Sequence, residues 1–257
     1  MDQTWLTLVI GNSRLHWGRF DGTTLQTTWE TPHLSKSEVQ GVITELARLT
    51  QRLPGASLLP QSELWIASVV PAQAELWTSY PNAKFLTLAQ IPIANLYPTL
   101  GIDRALALWG AISTIGSPAL VIDAGTALTF TGADQQPQLV GGAILPGLGL
   151  QLRALNQNTA ALPLAQLPDR PLPDRWARDT QGAIASGILY TLLAGIESFI
   201  QDWWQQFPGS GVVLTGGDSD RLLQGMQYLF PTTASHLQHN SHLVLQGIQA
   251  IKFKQLL

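Results

Sequence analysis

The chain has 257 residues, of which 45% are hydrophobic and 12% are charged. This length and composition are typical of one large or two moderate folded domains, and they exclude a disordered chain. Fourteen basic and 17 acidic residues give a net charge of -3 without a long run of either sign, which disfavours nucleic acid as a partner, and the absence of cysteine excludes disulfides and thiolate catalysis.

The first predicted elements form a strand, a turn and a strand. Apolar residues over 7–10 precede a tight turn at Gly11-Asn12-Ser13, and a returning strand follows to Gly18. Glycine in such a turn lets backbone N–H groups approach a phosphate closely. The turn is therefore either a phosphate-binding loop or an ordinary hairpin.

Helices and strands alternate after this unit, as in α/β proteins. A capping box over 35–38 begins a helix through residue 49, buried strands are predicted over 64–70 and 85–88, and a short helix is predicted over 101–112.

Two charged residues lie at the start of the helix predicted after Gly101. Arg104 in a first turn opposes the helix dipole, so an anionic partner would explain it. That partner is either a substrate carboxylate held by the guanidinium group or a neighbouring glutamate. Asp103 either caps the helix or takes a hydroxyl proton during phosphoryl transfer.

The strand–turn–strand pattern returns in the second half of the chain. Residues 119–124 form an apolar strand, Gly125-Thr126 a turn, and residues 127–131 an alternating strand that leads to a third strand near 139–144. This repeat predicts a duplicated fold, with an N-terminal domain over 1–115 and a C-terminal domain over 116–257. Two such turns facing each other would hold a triphosphate.

The remaining segments predict a long helix over 182–207, a strand over 211–215 and a terminal helix over 241–253. The long helix is not expected to span a membrane, because acidic residues flank or interrupt it, and its small residues favour a core or a subunit interface. Thr215-Gly216-Gly217-Asp218 either accommodates a flat ligand such as adenine or is a plain turn with Asp218 as N-cap. A metal site of His236, His239 and His242 is disfavoured, because a helix start is predicted between them.

Seven motifs, in this order, resemble those of type III pantothenate kinases across nearly the whole chain. They are IGNS over 10–13, ASVVP over 67–71, LGIDR over 100–104, DAGTA over 123–127, GGAILPG over 141–147, DTQGAIASG over 179–187 and TGGD over 215–218. The resemblance implies an α/β fold of two duplicated ribonuclease H-like domains of the actin-like ATPase type, each a mixed five-stranded sheet with helices, with a cleft between them. It also implies ATP-dependent phosphorylation of pantothenate to 4′-phosphopantothenate, the first step of coenzyme A biosynthesis, by a homodimer that uses Mg²⁺ and a monovalent cation, K⁺ or NH₄⁺. A cytoplasmic location is expected from the sequence itself, because the first ten residues lack the order of a signal peptide and the chain has no cysteine.

The resemblance also implies roles for individual residues. Asp103 would be the proton acceptor, Asp123 would hold the monovalent cation, and Thr180 would meet pantothenate from the dimer side. The implied substrate-binding residues are Tyr97, Gly101, Ile102, Asp103, Arg104 and Thr180, although Tyr97 is nearer to Gly101 than the family tyrosine. The implied nucleotide-binding residues are Val9, Ile10, Gly11, Asn12, Ser13, Arg14, Leu15, His16 and Thr126.

The chain departs from the family pattern at three positions. Val9 stands where the family usually has an aspartate, which removes a handle on Mg²⁺ or its waters. Ser13 replaces a threonine, and Thr131 replaces a second aspartate. Val9 favours one alternative, a catalytically impaired relative that binds nucleotide or pantothenate as a regulatory or accessory protein. A second alternative is a kinase of the same superfold that acts on a sugar or another acid, although Arg104 disfavours neutral sugars.

Overall fold

The computed structural model describes residues 4–52 and 62–254. The strands are β1 (Thr4–Ile10), β2 (Leu15–Asp21), β3 (Thr24–Thr31), β4 (Leu64–Ser68), β5 (Ala83–Phe85), β6 (Ala119–Ala124), β7 (Ala127–Ala133), β8 (Leu139–Pro146), β9 (Gly211–Thr215) and β10 (Leu237–His239). The α-helices are α1 (Lys36–Arg52), α2 (Pro71–Glu75), α3 (Ile102–Ile115), α4 (Leu148–Gln157), α5 (Thr180–Gln206), α6 (Ser219–Leu229), α7 (Pro231–Ala234) and α8 (Leu243–Lys254).

The chain divides into two compact units. Within the described ranges, the first contains residues 4–52, 62–92, 96–110 and 244–254, and the second contains residues 93–95 and 111–243. Helix α3 passes from the first unit into the second after Gly110, close to the division predicted at Gly116.

The first unit is built on a mixed five-stranded sheet in the order β3-β2-β1-β4-β5. Strands β1, β2 and β3 are antiparallel neighbours, whereas β4 runs parallel to β1 and β5 runs parallel to β4. Alternate residues of β1, Leu6, Leu8 and Ile10, belong to an apolar cluster that also contains Val39 of α1 and Trp77. Burial of this face is the main source of stability for the unit.

The second unit repeats this sheet. Its order is β10-β9-β6-β7-β8, with β6, β7 and β8 antiparallel neighbours and with β9 and β10 added in parallel. Leu120, Ile122 and Ala124 of β6 pack into a cluster with the buried face of α5. The same strand order and directions in both units confirm the predicted duplication and the predicted mixed five-stranded sheets.

Helix α8 differs from the prediction, which placed the whole chain end in the second domain. It packs in the first unit, where Leu245 Cδ1 would lie 3.1 Å from a Cβ at Gly18. Lys252 Nζ bonds to the Glu63 carboxylate and lies 5.1 Å from the centre of the Trp5 ring. Helical periodicity specifies that a helix has a buried face, but it does not specify which sheet covers that face.

The strand predicted over 85–88 lies earlier in the chain, because β5 covers Ala83–Phe85 and shares only Phe85 with the prediction. Strand β5 ends at Phe85, and a 3₁₀ turn over Leu88–Gln90 follows. The Gln90 side-chain oxygen accepts a hydrogen bond from the Thr87 N–H at 2.8 Å, which is a capping arrangement and ends the extended segment.

Helix α5 is, among the described residues, the one helix long and apolar enough by length and composition to cross a membrane. Half of its most apolar window is buried inside the protein, with Ile188, Leu192 and Ile196 in the core of the second unit. Such burial is typical of a core helix, as the sequence predicts.

Candidate active site

The first turn of α3 carries the residues with the clearest chemistry. Asp103 Oδ1 accepts a hydrogen bond from the Arg104 backbone N–H at 2.8 Å. A Cβ at Gly101 would lie only 2.5 Å from the same oxygen, so a side chain at this position would displace the carboxyl group. A carboxylate has about four lone-pair sites, so the bonds it makes to its own turn leave it able to accept a substrate proton.

The environment of Asp103 makes its carboxylate more basic. Burial raises the pKa of Asp103 above its ordinary value, and the hydrogen bond and positive charge of Arg104 offset only part of this effect. A carboxylate with a raised pKa is a stronger base, which is the property that a general base requires at neutral pH. These properties make Asp103 a candidate for the general base.

Arg104 and Tyr97 are joined directly. The Arg104 side chain is almost buried, and its Nη1 donates a hydrogen bond to the Tyr97 hydroxyl oxygen at 3.1 Å. Tyr97 is 41% exposed, so one edge of this pair remains accessible. The structure thus places Tyr97, Gly101, Asp103 and Arg104 in one cluster, despite the short sequence interval between Tyr97 and Gly101, while Ile102 is buried beneath the turn.

The first predicted phosphate turn exposes its polar side chains. Asn12, Ser13 and Arg14 are exposed, and the Gly11 N–H donates to the Arg14 carbonyl oxygen at 3.0 Å. His33 Nε2 donates to the Gly11 carbonyl oxygen at 2.8 Å, which fixes the other side of the turn. This arrangement keeps the Asn12 and Ser13 side chains on the surface, where a ligand can reach them.

The other residues implied to face nucleotide have different surroundings. Val9, Ile10 and Leu15 are buried in the sheet, so their side chains support the turn from within the core. Arg14 and His16 lie near Glu30, with a distance of 2.9 Å between His16 Nδ1 and Glu30 Oε1. Only part of the stretch over 9–16 therefore presents side chains that a nucleotide can reach.

Backbone hydrogen bonds from neighbouring segments fix the second predicted phosphate turn. The Gly147 N–H donates to the Thr126 carbonyl oxygen at 2.9 Å, and a Cβ at Gly147 would overlap the Gly125 carbonyl oxygen. The Asp218 N–H donates to the Ala124 carbonyl oxygen at 2.9 Å. The Thr126 side chain is exposed at the tip of this turn.

Asp123 lies beside the second turn, and two glycines lie close to its carboxyl group. A Cβ at Gly125 would lie 3.3 Å from Asp123 Oδ1, and one at Gly216 would overlap that oxygen. Gly216 has a φ of +93°, which also favours glycine. A carboxylate oxygen is a donor that hard cations prefer, so Asp123 could contribute one ligand to an oxygen-ligated cation.

Val9 and Asp123 occupy equivalent positions in the two units. Each lies two residues before its turn glycine, and each pairs with the returning strand, Val9 with His16 and Asp123 with Thr129. The first unit therefore has a buried apolar side chain where the second has a carboxylate. Thr131, which replaces the second family aspartate, is fully buried in β7. Across the described residues, no group of three or more His, Cys, Asp or Glu side chains is arranged to hold a metal ion.

Thr180 lies in the second unit at the first position of α5. Asp179 caps this helix, because its Oδ1 accepts a hydrogen bond from the Gly182 N–H at 2.8 Å. Both residues line a groove of about 760 Å³ along one side of α5.

Asp218 is the residue whose use the sequence did not reveal. The prediction left open that it caps α6, but its side chain makes no capping bond to that helix. Burial raises the pKa of the Asp218 carboxyl group above its ordinary value, and the Gly149 N–H in α4 and the charges of Arg221 and Arg153 offset part of this effect. No local pattern in the sequence indicates that α4 lies near this carboxyl group.

The fold is that of the actin-like ATPases, with the same mixed sheet in each of two units. A solved structure from Campylobacter jejuni, described as a conserved putative Baf family transcriptional activator, matches with a TM-score of 0.63 and 20% identity over 98% of this chain and 100% of that chain. The activator of the 2-hydroxyisocaproyl-CoA dehydratase from Clostridium difficile, solved with bound ADPNP, matches with a TM-score of 0.51 and 10% identity over 99% and 97% of the two chains.

Sequence comparisons identify the family to which the chain belongs within this fold. The family model described as type III pantothenate kinase matches residues 5–202. A type III pantothenate kinase from Nostoc sp. is 47% identical over 98% of this chain and 95% of its own length, and one from Synechocystis sp. is 49% identical over 96% and 90%. The chain therefore belongs to the type III pantothenate kinase family.

Proposed function

We propose that this kinase transfers the γ-phosphoryl group of ATP to the primary hydroxyl of pantothenate, with Asp103 as the proton acceptor. The observation that carries the proposal is that one helix turn places Asp103, a half-buried carboxylate of raised pKa, next to the nearly buried Arg104. The product is 4′-phosphopantothenate, and the reaction is the first step of coenzyme A biosynthesis.

Each group in the cluster has a distinct part in this reaction. Arg104, oriented by the Tyr97 hydroxyl, binds the carboxylate of pantothenate and so orients the substrate. Asp103 accepts the proton of the pantothenate hydroxyl while the hydroxyl oxygen bonds to the γ-phosphorus. The bond between the γ-phosphorus and the β–γ bridging oxygen breaks, which releases ADP. When bound with ATP, Mg²⁺ would supply neutralisation of the phosphate charge.

The two glycine turns are proposed to bind the phosphates of ATP. Backbone N–H groups and the exposed Asn12, Ser13 and Thr126 side chains suit phosphate oxygens. The Asp123 carboxylate is proposed as a ligand of K⁺ or NH₄⁺. A cytoplasmic location is also proposed.

A coupled assay of ADP release tests the proposal. It is run with and without pantothenate, with K⁺ or Na⁺, and with a panel of sugars and other hydroxy acids. We expect release to require pantothenate and to respond to K⁺ in the wild type, and the response to K⁺ to be lost in Asp123→Asn. An impaired, purely binding relative would give no pantothenate-dependent release, and a kinase for another acceptor would respond to another member of the panel.

Tyr97→Phe is expected to raise the KM for pantothenate about three- to tenfold and to change kcat little, because a single hydrogen bond that orients Arg104 is lost. Steady-state kinetics measure both constants. Tyr228→Phe is the matched control, since Tyr228 is 72% exposed on α6 and should leave both constants unchanged. An unchanged KM in Tyr97→Phe would contradict the orienting role.

A homodimer is also proposed, with α5 at the interface. Exposed small residues follow one another at helical spacing along one side of this helix, namely Thr180, Ala183, Gly187, Thr191 and Ala194. A Cβ at Gly187 would have no neighbour within 4 Å, so this surface is open to a second copy. Small side chains permit close approach of two helices. Thr180 would then reach the substrate of the partner subunit.

Gly187→Arg is expected to convert the dimer into a monomer, because the long side chain would separate the two α5 helices. Light scattering during size-exclusion chromatography measures the mass. Gly41→Arg is the control, because Gly41 is also an exposed helical glycine without a neighbour near its Cβ position. A monomeric wild type, or a Gly187→Arg variant that remains dimeric, would exclude this interface.

A further inference from the structure

A short chain of hydrogen bonds joins the end of β10 to the turn that follows β9. The Ser219 hydroxyl, in the first turn of α6, donates to the Gly216 carbonyl oxygen at 2.6 Å. His239 Nε2, at the end of β10, lies 2.8 Å from the same hydroxyl oxygen. Ser219 and His239 thus form a Ser–His pair that holds the Gly216 carbonyl group.

The directions of these bonds follow from the number of protons on each group. A serine hydroxyl has one proton, and a carbonyl oxygen can only accept a hydrogen bond. The Ser219 proton therefore points to Gly216, and the Ser219 oxygen accepts from His239, which requires a proton on Nε2. An Asp220 carboxyl oxygen lies 3.6 Å from this nitrogen, which is too long for a hydrogen bond, and its side chain is 81% exposed.

The Ser219 hydroxyl is not required by the helix that it begins. Asp218 is the N-cap of α6, and Ser219 is the residue after it. The backbone N–H of Ser219 already donates to the Gly216 carbonyl oxygen at 3.1 Å. Ser219 is only 2% exposed, so a hydroxyl there is stable because it has protein partners. Its side chain therefore serves the turn and not the helix.

The turn that the Ser–His pair holds packs closely against the candidate cation ligand. A Cβ at Gly216 would overlap Asp123 Oδ1 and would lie 2.6 Å from the Ala124 carbonyl carbon. The two backbone segments thus leave no room between them, so a shift of Gly216 changes the space available to the Asp123 carboxyl group. The Asp218 N–H donates to the Ala124 carbonyl oxygen at 2.9 Å, and this backbone bond does not depend on either side chain of the pair.

We propose that the Ser–His pair is a positioning element for the monovalent cation, which fixes the Gly216 backbone against Asp123 and thereby sets the position of the Asp123 carboxyl group. The inference rests on the proposed assignment of Asp123 to K⁺ or NH₄⁺. It assigns neither residue of the pair a contact with pantothenate. A pair that only stabilised α6 would affect the responses to K⁺ and to pantothenate alike.

The K⁺ dependence of ADP release tests the inference in Ser219→Ala and His239→Ala. Each variant should raise the K⁺ concentration for half-maximal activity about three- to tenfold and the KM for pantothenate less than about twofold, because a hydrogen bond is lost beside Asp123 only. His239→Gln should recover part of the K⁺ affinity, since its amide can still donate to Ser219. His236→Ala is the matched control, because His236 is exposed and donates to the Thr232 carbonyl oxygen instead.

The double variant tests whether the two residues act as one chain. If His239 acts through Ser219, His239→Ala should have no further effect on the K⁺ response in a Ser219→Ala background. Additive effects of the two substitutions would overturn the inference. An unchanged K⁺ response in both single variants, or an equal rise in the KM for pantothenate, would overturn it as well.

Hydrogen exchange gives a second measurement that needs no activity. Amides in peptides covering 120–126 and 212–218 should exchange faster in Ser219→Ala and His239→Ala than in the wild type, and at the wild-type rate in His236→Ala. Unchanged exchange in these peptides would overturn the positioning role. If Ser219→Ala does not fold, His239→Ala and His239→Gln decide by the same measurements.

The wild type separates failure of this inference from failure of the proposed function. Without pantothenate-dependent ADP release, the proposed function is refuted, whereas the exchange result still decides whether the Ser–His pair holds Gly216. Pantothenate-dependent release that does not respond to K⁺ would overturn the inference and leave the proposed phosphoryl transfer standing.

Discussion

Replacement of Asp103 by Asn is expected to lower kcat about 10²- to 10⁴-fold while the fold stays intact. The amide keeps the size of the side chain and can still accept a hydrogen bond from the Arg104 N–H, but it cannot take the proton of the attacking hydroxyl. The KM for pantothenate should change much less than kcat, because Arg104 remains to bind the substrate. Steady-state ADP release measures both constants.

The same variant should be as stable as the wild type at neutral pH, or more stable. Burial raises the pKa of Asp103 in the folded state, so the folded state favours the protonated side chain. This stabilisation of the fold is present below the unfolded pKa and is lost as the pH rises through the folded pKa. The amide side chain of Asp103→Asn has no charge to desolvate, so the substitution removes this cost at pH 7. Thermal unfolding at pH 7 checks the direction.

The raised pKa of Asp103 also has a kinetic consequence. Wild-type kcat/KM should fall as the pH decreases through the pKa of Asp103, at a pH above the value of about 3.9 for an ordinary aspartate. Asp202→Asn is the control, because Asp202 is an exposed acid of α5 outside the cluster. If Asp103→Asn retained the wild-type kcat, Asp103 would not be the base.

Arg104→Gln is expected to lower kcat/KM for pantothenate about 10²- to 10³-fold, because a nearly buried guanidinium group then no longer pairs with the substrate carboxylate. Most of the loss should appear in KM. Arg104→Lys should recover only part of it, since an ammonium group cannot form the two parallel hydrogen bonds of a guanidinium group. Arg170→Gln is the control, because Arg170 is exposed and pairs with Asp174.

An uncharged substrate analogue gives a second test of whether Arg104 binds the substrate carboxylate. The primary amide of pantothenate lacks the carboxylate charge, so the wild type should use it much less efficiently than pantothenate. Arg104→Gln should distinguish the two substrates little, because the group that senses the charge has been removed. Equal discrimination by the wild type and Arg104→Gln would show that Arg104 does not bind the carboxylate.

The duplicated architecture was accessible from sequence because it depends on local patterns. Each half has an apolar strand, a glycine turn and an alternating strand, and the structure gives each half the same sheet. The α8 helix was assigned to the wrong half because its apolar face alone does not identify the sheet that covers it. Its contacts with Gly18 and Glu63 join residues far apart in the chain.

The candidate site, like the fold, was predictable from sequence where it depends on local patterns. Asp103 and Arg104 stood out because both are charged residues at a helix start, where local rules apply. The bond from Arg104 to Tyr97 depends on how a loop packs against a helix, which no short motif encodes. Similarly, the position of Asp218 before a helix left a capping role open, although its side chain makes no capping bond to that helix.

A crystal structure with pantothenate and a non-hydrolysable ATP analogue is the most direct test of the proposed catalytic centre. It should place the primary hydroxyl within about 2.6–3.2 Å of an Asp103 carboxyl oxygen, with the substrate carboxylate on the Arg104 guanidinium group. A complex in which the bound pantothenate directs that hydroxyl away from Asp103 would contradict the assignment.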